Sequence, residues 1–279
     1  MENGVWVHDL DPVLISIGPF DLRWYALAYI FGLVVGWVWG MRLADTSPLA
    51  ITRQHVDRFL TWAVIGVIVG GRLGAFLFYA PHILIEQPLQ VFKVWEGGMS
   101  FHGGILGVTT AMVLFARMNK IPLFSLTDII ATVAPFGILL GRIANFINGE
   151  HWGRLTEVSW AMAFPRSGDL LPRHPSQLYE AAMEGAILLI VMFVVVRRFD
   201  GLSRPGLPTG IFLMGYAIAR ATGEVFREPE VLTSVLPFGT TWGQWLSLPM
   251  LLGGAYLVHR ALHRPKAEPA KPRKGKTAA

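Results

Sequence analysis

The chain has 279 residues, of which 53% are hydrophobic and only 15% are charged. A soluble domain carries roughly 25% charged residues, so this composition excludes an ordinary soluble enzyme and indicates a surface that faces lipid. The chain has no cysteine, which excludes disulfides, iron–sulfur clusters and a thiol nucleophile of its own. The net charge of +5 comes from residues 260–279, and we expect no nucleic-acid partner.

Apolar stretches recur along the chain, each near the ~20 residues that a helix needs to cross the hydrocarbon. The segment before the first stretch lacks the basic region and cleavage site of a signal peptide, so we expect that helix to be retained. The sequence therefore predicts an all-α, polytopic membrane protein with seven transmembrane helices. The predicted spans are Trp24–Leu43, Arg58–Tyr79, Phe101–Arg117, Ser125–Ile147, Glu180–Arg198, Leu207–Val225 and Trp242–Arg260.

The distribution of lysine and arginine between the loops predicts the orientation. These residues are more frequent on the side of the carboxyl terminus, which favours an external amino terminus and an internal carboxyl terminus. Residues 1–263 are predicted to form the membrane domain, with the long mixed loop 148–179 as a small external subdomain. The Lys/Pro/Ala-rich residues 264–279 are predicted to be a disordered, basic cytoplasmic tail.

Three arginines lie inside the predicted spans, at a similar depth below the external surface: Arg72, Arg142 and Arg220. A buried arginine is costly and usually has an anionic partner. One interpretation is a cationic pocket for a phosphate, because the planar guanidinium binds phosphate oxygens bidentately. The alternative is structural: the arginines reach the headgroups or pair with Glu150, Glu180, Glu184 and Glu224.

A glycine-rich segment, Gly97-Gly98-Met99-Ser100-Phe101-His102-Gly103-Gly104, surrounds one histidine at the start of the third span. His102 is a candidate proton acceptor, and the alternative is a structural histidine with glycines that pack helices closely. Tyr216, Arg220 and Glu224 are spaced four apart and share one helix face. The sequence has no Gly-Xaa-Ser-Xaa-Gly or His-Glu-Xaa-Xaa-His motif and no Cys/His cluster, so we expect no metal.

Four segments resemble bacterial phosphatidylglycerol–prolipoprotein diacylglyceryl transferases. They are Trp95–Gly104, Gly141-Arg142-Ile143-Ala144-Asn145-Phe146-Ile147-Asn148-Gly149-Glu150 through Arg154, His174-Pro175-Ser176-Gln177-Leu178-Tyr179-Glu180, and Phe226-Arg227-Glu228-Pro229. The resemblance runs in order over nearly the whole chain, and the segment ending in Asn-Phe-Ile-Asn-Gly-Glu is very specific.

The resemblance implies an activity that composition does not reveal. Such enzymes move the diacylglyceryl group of phosphatidylglycerol onto the lipobox cysteine of a preprolipoprotein, giving a thioether and glycerol phosphate, in the first step of lipoprotein maturation. The implied partners are phosphatidylglycerol, the preprolipoprotein signal peptide and membrane lipid, with no cofactor. The implied location is the bacterial inner membrane, with seven spans and a periplasmic active site.

The resemblance also implies site residues. Arg142 and Arg220 are implied to bind the phospholipid and to be essential. The residues implied around them are His102, Tyr25, Asn145, Glu150, Gly153, Tyr216 and Glu224.

We hypothesise that His102 accepts the proton of the attacking thiol, directly or through water, while Arg142 and Arg220 hold the phosphate. In the alternative, His102 is structural and the arginines lower the pKa of the thiol. Two other classes of function remain: a transporter or lipid flippase with an anion site, and a scaffold that binds anionic lipid. Transporters usually place their site near the bilayer midplane, whereas these charges cluster toward one face.

Overall fold

A computed structural model describes residues 5–93, 95, 97–229 and 239–268. It is mostly helical, and helices occupy all seven predicted spans. The long helices are α1 (Trp24–Thr46), α2 (Arg53–Tyr79), α4 (Phe101–Met118), α5 (Leu123–Asn148), α7 (Leu188–Arg198), α8 (Leu207–Phe226) and α9 (Trp242–Leu262). The short helices are α3 (Pro81–Glu86) and α6 (Ser176–Glu180), with a π-helix at Ala181–Ile187 and 3₁₀ turns at Pro88–Phe92, Pro165–Ser167 and Gly201–Ser203.

Within the described part of the chain, five helices are long and apolar enough to cross a membrane. They are Trp24–Thr46, Arg53–Tyr79, Phe101–Met118, Leu123–Asn148 and the continuous stretch Ser176–Arg198. The chain is therefore a polytopic membrane protein. Helices α8 and α9, at the sixth and seventh predicted spans, are not among the five.

Two small sheets, which the all-α prediction missed, accompany the helices. One has the strand order β1 (Trp6–Val7), β4 (Met162–Ala163), β5 (Pro172–Arg173), with β1 parallel and β5 antiparallel to β4. The other is the antiparallel hairpin of β2 (Val13–Ile17) and β3 (Phe20–Arg23). These strands are too short to be detected by apolar periodicity over a long window of sequence.

The described chain forms two compact units. One comprises residues 5–39 and 128–267, and its core includes Ala131, Leu188 and Met192, against which Tyr216 packs. The other comprises residues 40–127 together with Glu268. Residues 269–279, most of the predicted tail, and Glu96 lie outside the described residues. At the start of the tail, Lys266 pairs with Asp200 at 3.1 Å.

A buried carboxylate fixes the start of α8 in the first unit. Asp128 of α5 is fully buried and accepts hydrogen bonds from the backbone N–H groups of Gly206 (2.8 Å) and Thr209 (3.0 Å). These donors belong to the first turn of α8, where unpaired N–H groups and the helix dipole favour an anion. The contact anchors α8 to α5, the two helices that carry Arg220 and Arg142.

An ion-pair cluster around Arg173 holds the segment between α5 and α6. Arg173 is only 9% exposed and binds Asp169 at 2.6 Å and Glu228 at 3.3 Å. The Arg173 guanidinium, helped by the Ser167 hydroxyl and the Leu171 N–H, holds the pKa of Asp169 well below its ordinary value. These contacts join β5 to the segment that follows α8.

The amino-terminal segment docks through a buried histidine. His8 follows β1 and stacks on Phe164, with ring centroids 5.4 Å apart, while its edge meets Phe146. Burial lowers the pKa of His8 below its ordinary value, so the ring is held neutral. Gly149 lies against the same ring with a φ of +62°, and a side chain there would approach His8 Nδ1 to 3.1 Å.

Candidate active site

Arg142, near the end of α5, is embedded in carboxylates. Its Nε and Nη2 donate to Glu184 Oε2 at 3.0 and 2.8 Å, and its Nη1 lies 3.1 Å from Glu180 Oε2. Both glutamates are completely buried, whereas 16% of the Arg142 side chain remains exposed. All three guanidinium nitrogens therefore face buried carboxylates.

Arg220 of α8 shares a carboxylate with Arg142. Its Nη1 donates to Glu180 Oε1 at 3.1 Å, and its Nη2 pairs with Glu224, one helical turn further along α8. Thus the two oxygens of Glu180 each face one of the two arginines. The side chain of Arg220 is 18% exposed.

Arg227, just after α8, completes the cluster, and its part in the site was missed from the sequence. It lies 3.5 Å from Glu180 Oε1, and its Nη2 lies 3.0 Å from His151 Nδ1. Arg227 is seven residues after Arg220, which places both on one helix face, and this spacing was the available signal. Among the described residues, three arginines lie against Glu180, Glu184 and Glu224, so these carboxylates have cationic partners.

Pairing of the arginines with glutamates, which was the structural alternative, is therefore present in part. Arg142 and Arg220 do pair with Glu180, Glu184 and Glu224. A guanidinium carries five N–H donors, however, and the three contacts of Arg142 leave two for another acceptor.

Arg72 does not follow the sequence prediction of a third phosphate-binding arginine. It belongs to the other compact unit, and its guanidinium donates to backbone carbonyls of the segment after α2: Gln90, Val91, Lys93, Gly97 and Gly98. These contacts use its donors to hold the 3₁₀ turn Pro88–Phe92 and the residues that follow it, so we assign Arg72 a structural role. Gly98, with a φ of +77°, allows the backbone to approach the Arg72 side chain.

Glu150 lies near the cluster but differs from the other carboxylates because amides hold it. The amide groups of Asn145 and Asn148 donate to Glu150 Oε1 at 2.8 and 3.2 Å, and Gln177 donates to its backbone carbonyl at 2.7 Å. The structural alternative paired Glu150 with an arginine, but its described contacts are with amide groups.

Two tyrosines predicted for the site belong to the same unit. The hydroxyl of Tyr25, on α1, lies 3.2 Å from that of Tyr29. Tyr216, on α8, stacks on Phe212 and packs against the core that includes Ala131, Leu188 and Met192.

Gly153 lies where its own chain segment meets those of His174 and Arg227. Its N–H donates to the carbonyl of His174 at 2.9 Å, and it forms an isolated antiparallel bridge with Arg227. A Cβ atom here would lie 2.5 Å from the His174 carbonyl oxygen and 2.6 Å from that of Phe226. A glycine is therefore required here, because three chain segments pack closely at this point. One of these segments carries Arg227.

His102 belongs to the unit of residues 40–127, in the first turn of α4. Its ring is exposed and contacts Phe101, with centroids 5.9 Å apart. Its glycine neighbours serve helix packing, because a Cβ atom on Gly103 would come within 2.8 Å of Gly74 on α2. The packing interpretation is thus confirmed for Gly103, and the role of His102 stays a prediction.

A π-helix presents the two buried glutamates. Glu180 ends α6 and Glu184 lies inside the π-helix Ala181–Ile187, whose wider turn is often found at functional sites. Gly185 allows the π-helix to touch α5, because a Cβ atom there would lie 2.7 Å from Leu139 Cα. Close contact of these two backbones brings Glu184 within reach of Arg142.

We expect Gly185→Ala to lower the stability of the protein by about 1–3 kcal/mol, because the added methyl group overpacks against the α5 backbone. Thermal unfolding in detergent, followed by tryptophan fluorescence, measures the change. Gly137→Ala in α5 is the matched control, since no atom lies within 4 Å of its added methyl group. Equal unfolding temperatures for the two variants would contradict the close contact.

Comparison with known proteins agrees with this picture. A family model described as prolipoprotein diacylglyceryl transferase matches residues 12–260. The chain is similar to phosphatidylglycerol–prolipoprotein diacylglyceryl transferases of Gluconacetobacter diazotrophicus (51% identity; 91% of both chains), Rhizobium leguminosarum bv. trifolii (49%; 91% of this chain and 92% of the relative) and Methylocella silvestris (51%; 94% and 97%). The chain belongs to the prolipoprotein diacylglyceryl transferase family.

Proposed function

We propose that this chain transfers the diacylglyceryl group of phosphatidylglycerol to the lipobox cysteine of preprolipoproteins. The observation that carries this conclusion is the family match over residues 12–260. The composition agrees with it, because the chain has no cysteine and the acceptor peptide supplies the sulfur.

The balance of the reaction defines what the site must do. The thiol sulfur attacks a glyceryl carbon, a carbon–sulfur bond forms, and the bond from that carbon to the phosphate oxygen breaks. The electron pair leaves with glycerol phosphate, so negative charge grows on the phosphate, and the thiol proton needs an acceptor. Fixed cations beside the leaving group stabilise this transition state.

We assign the phosphate to Arg142 and Arg220. Each arginine lies 3.1 Å from one oxygen of Glu180, which supports the view that a single anion can bridge the two. Arg142 keeps two N–H donors beyond its three carboxylate contacts, and we assign these donors to the phosphate. Because Glu180, Glu184 and Glu224 already lie against these arginines, recognition depends on short, directional hydrogen bonds more than on long-range attraction.

The remaining site residues surround this phosphate position in our proposal. Glu224 orients Arg220, while Asn145 and Glu150, with Tyr25, Tyr216 and Gly153, shape the region around the phospholipid headgroup. The contacts of Asn145 with Glu150 and of Glu224 with Arg220 support these assignments.

The topology belongs to the same proposal. We assign seven spans to residues 1–263, with the amino terminus and the active site on the periplasmic side of the inner membrane, residues 148–179 as an external subdomain, and residues 264–279 as a cytoplasmic tail. The positions of α8 and α9 at the sixth and seventh predicted spans support the count.

One assay tests the activity. Purified protein is mixed with phosphatidylglycerol and a lipobox peptide, and mass spectrometry follows the peptide. We expect a diacylglyceryl adduct and release of glycerol phosphate. Transport of a labelled anion without adduct would favour a transporter, and lipid binding without either would favour a scaffold.

Replacement of His102 by glutamine tests its role as proton acceptor. We expect turnover at neutral pH to fall by about 10²-fold or more, because general bases contribute typically 10²–10⁴-fold. The loss should shrink as the pH rises toward about 8.5, where a free thiol ionises without help. His82→Gln, which changes an exposed histidine on α3, is the control. Wild-type turnover at neutral pH would eliminate the base role and favour thiol activation by the arginines.

A further inference from the structure

The β2–β3 hairpin has one face made entirely of apolar side chains. Ile15 pairs with Leu22, and Ile17 pairs with Phe20, across the two strands. Because side chains alternate between the faces of a strand, these four residues share one face. Their exposure ranges from 37% for Leu22 to 77% for Phe20, so the protein leaves this face uncovered.

The opposite face of the hairpin is polar. Ser16 pairs with Asp21, and the Ser16 hydroxyl donates to the Asp21 carboxylate at 2.7 Å. Gly18, with a φ of +60°, supplies the tight turn. The hydrogen bond and the turn hold the register, and a slip of one residue would exchange the two faces.

The hairpin joins a membrane span without a linker. Strand β3 ends at Arg23, and α1, one of the five candidate spans, begins at Trp24. Trp24 is 40% exposed, and tryptophan is enriched where a protein enters the membrane interface. The uncovered apolar face therefore belongs to a hairpin that directly adjoins a membrane span in sequence.

We propose that the apolar face of the β2–β3 hairpin binds the lipid surface, at the boundary between headgroups and acyl chains beside the start of α1. The two outer edges of a two-stranded hairpin carry unpaired N–H and C=O groups, which the hydrocarbon core does not tolerate. The hairpin consequently lies flat, with Ser16 and Asp21 toward water and Phe20 toward the acyl chains.

This position has a consequence for α1. The hairpin fixes the depth at which the helix starts, because no flexible residue separates them. Tyr25, the second residue of α1, is thereby held at a constant depth near the headgroups. The position of the hairpin requires that α1 spans the membrane, and it does not require the proposed reaction.

Single cysteines test the proposal directly, since the chain has no cysteine of its own. Phe20→Cys on the apolar face and Ser16→Cys on the polar face are labelled with an environment-sensitive fluorophore in nanodiscs of phosphatidylcholine and phosphatidylglycerol, one protein per disc. We expect loss of iodide quenching and strong quenching by nitroxide lipids at Phe20→Cys, with the reverse at Ser16→Cys.

Several results would overturn the proposal. Equal iodide quenching at both positions would place the apolar face in water. Protection that appears only with two proteins per disc would make a second copy the occupant, and protection only after addition of a lipobox peptide would make the peptide the occupant. Elution volume and tryptophan fluorescence check the fold of each variant, and Ile17→Cys replaces Phe20→Cys if the latter does not fold.

Discussion

The Arg142→Ala variant should lose diacylglyceryl transfer by about 10²–10³-fold, because we propose that Arg142 is a fixed cation that holds the leaving phosphate. The loss should appear in the rate of adduct formation at saturating phosphatidylglycerol, measured by mass spectrometry of the acceptor peptide. Arg142→Lys should recover only a small part of it, since an ammonium keeps the charge but lacks the planar fork that binds two oxygens at once.

A matched double variant separates the phosphate role of Arg142 from its structural role. Alanine alone leaves the buried carboxylate of Glu184 without its partner, which costs about 3–5 kcal/mol and would itself impair the protein. Arg142→Ala combined with Glu184→Gln removes the uncompensated charge. We expect this double variant to regain thermal stability in detergent and to remain inactive.

The opposite outcome would show that Arg142 only holds the fold. If the double variant regained both stability and transfer, the ion pair with Glu184 would be the whole function of the arginine. The phosphate would then bind elsewhere, and the shared contact with Glu180 would be a structural bridge. The family assignment would stand in either case, because it rests on the sequence match.

The sequence was sufficient to locate the helices, since long apolar stretches must form helices in lipid to pair their backbone groups. It also singled out Arg142 and Arg220 as candidates, because charge within an apolar span is rare, and the structure brings these two together at Glu180. These predictions use local information only. They needed no knowledge of which helices touch.

Details that depend on contacts between distant segments could not be predicted. Position within an apolar span does not distinguish Arg72 from Arg142, yet one meets backbone carbonyls after α2 and the other meets buried carboxylates. The π-helix at Ala181–Ile187 has the composition of an ordinary apolar helix. Its role in presenting Glu184 follows from the close approach of α5. Gly185 permits this approach, but a glycine at this position does not predict it.

The hairpin was missed for a different reason. Apolar and polar side chains alternate through Phe20–Arg23, but Val13-Leu14-Ile15 interrupts the pattern in the other strand, so the period-2 signal is short. The turn at Gly18-Pro19 was the stronger signal, since this pair of residues marks turns. A membrane protein can leave such a hairpin apolar on one face because lipid, rather than a protein core, covers it.

Close packing of α2 on α4 gives the second large expected effect. Glycines recur at intervals of four on both helices, and their backbones touch: a Cβ atom on Gly70 would lie 2.6 Å from Gly107 Cα, and one on Gly107 would lie 2.8 Å from Gly70 Cα. Small residues at such spacing allow helices in lipid to approach closely and gain van der Waals contact. The obstacle to a larger residue is backbone on both sides, which no side-chain rotation can relieve.

We therefore expect Gly107→Ala to destabilise the protein by about 3 kcal/mol, at the upper end of the range for overpacking. Thermal unfolding in detergent measures the loss, and transfer activity should fall with it, since the same helix carries His102 in its first turn. Gly104→Ala is the matched control on α4, because its methyl group would meet Val67 at 3.8 Å, an ordinary contact. The control should unfold at or above the parent temperature, as alanine favours helix over glycine by about 1 kcal/mol. If Gly107→Ala behaved like Gly104→Ala, the two helices would be farther apart than described, and the packing explanation for the glycines around His102 would be wrong.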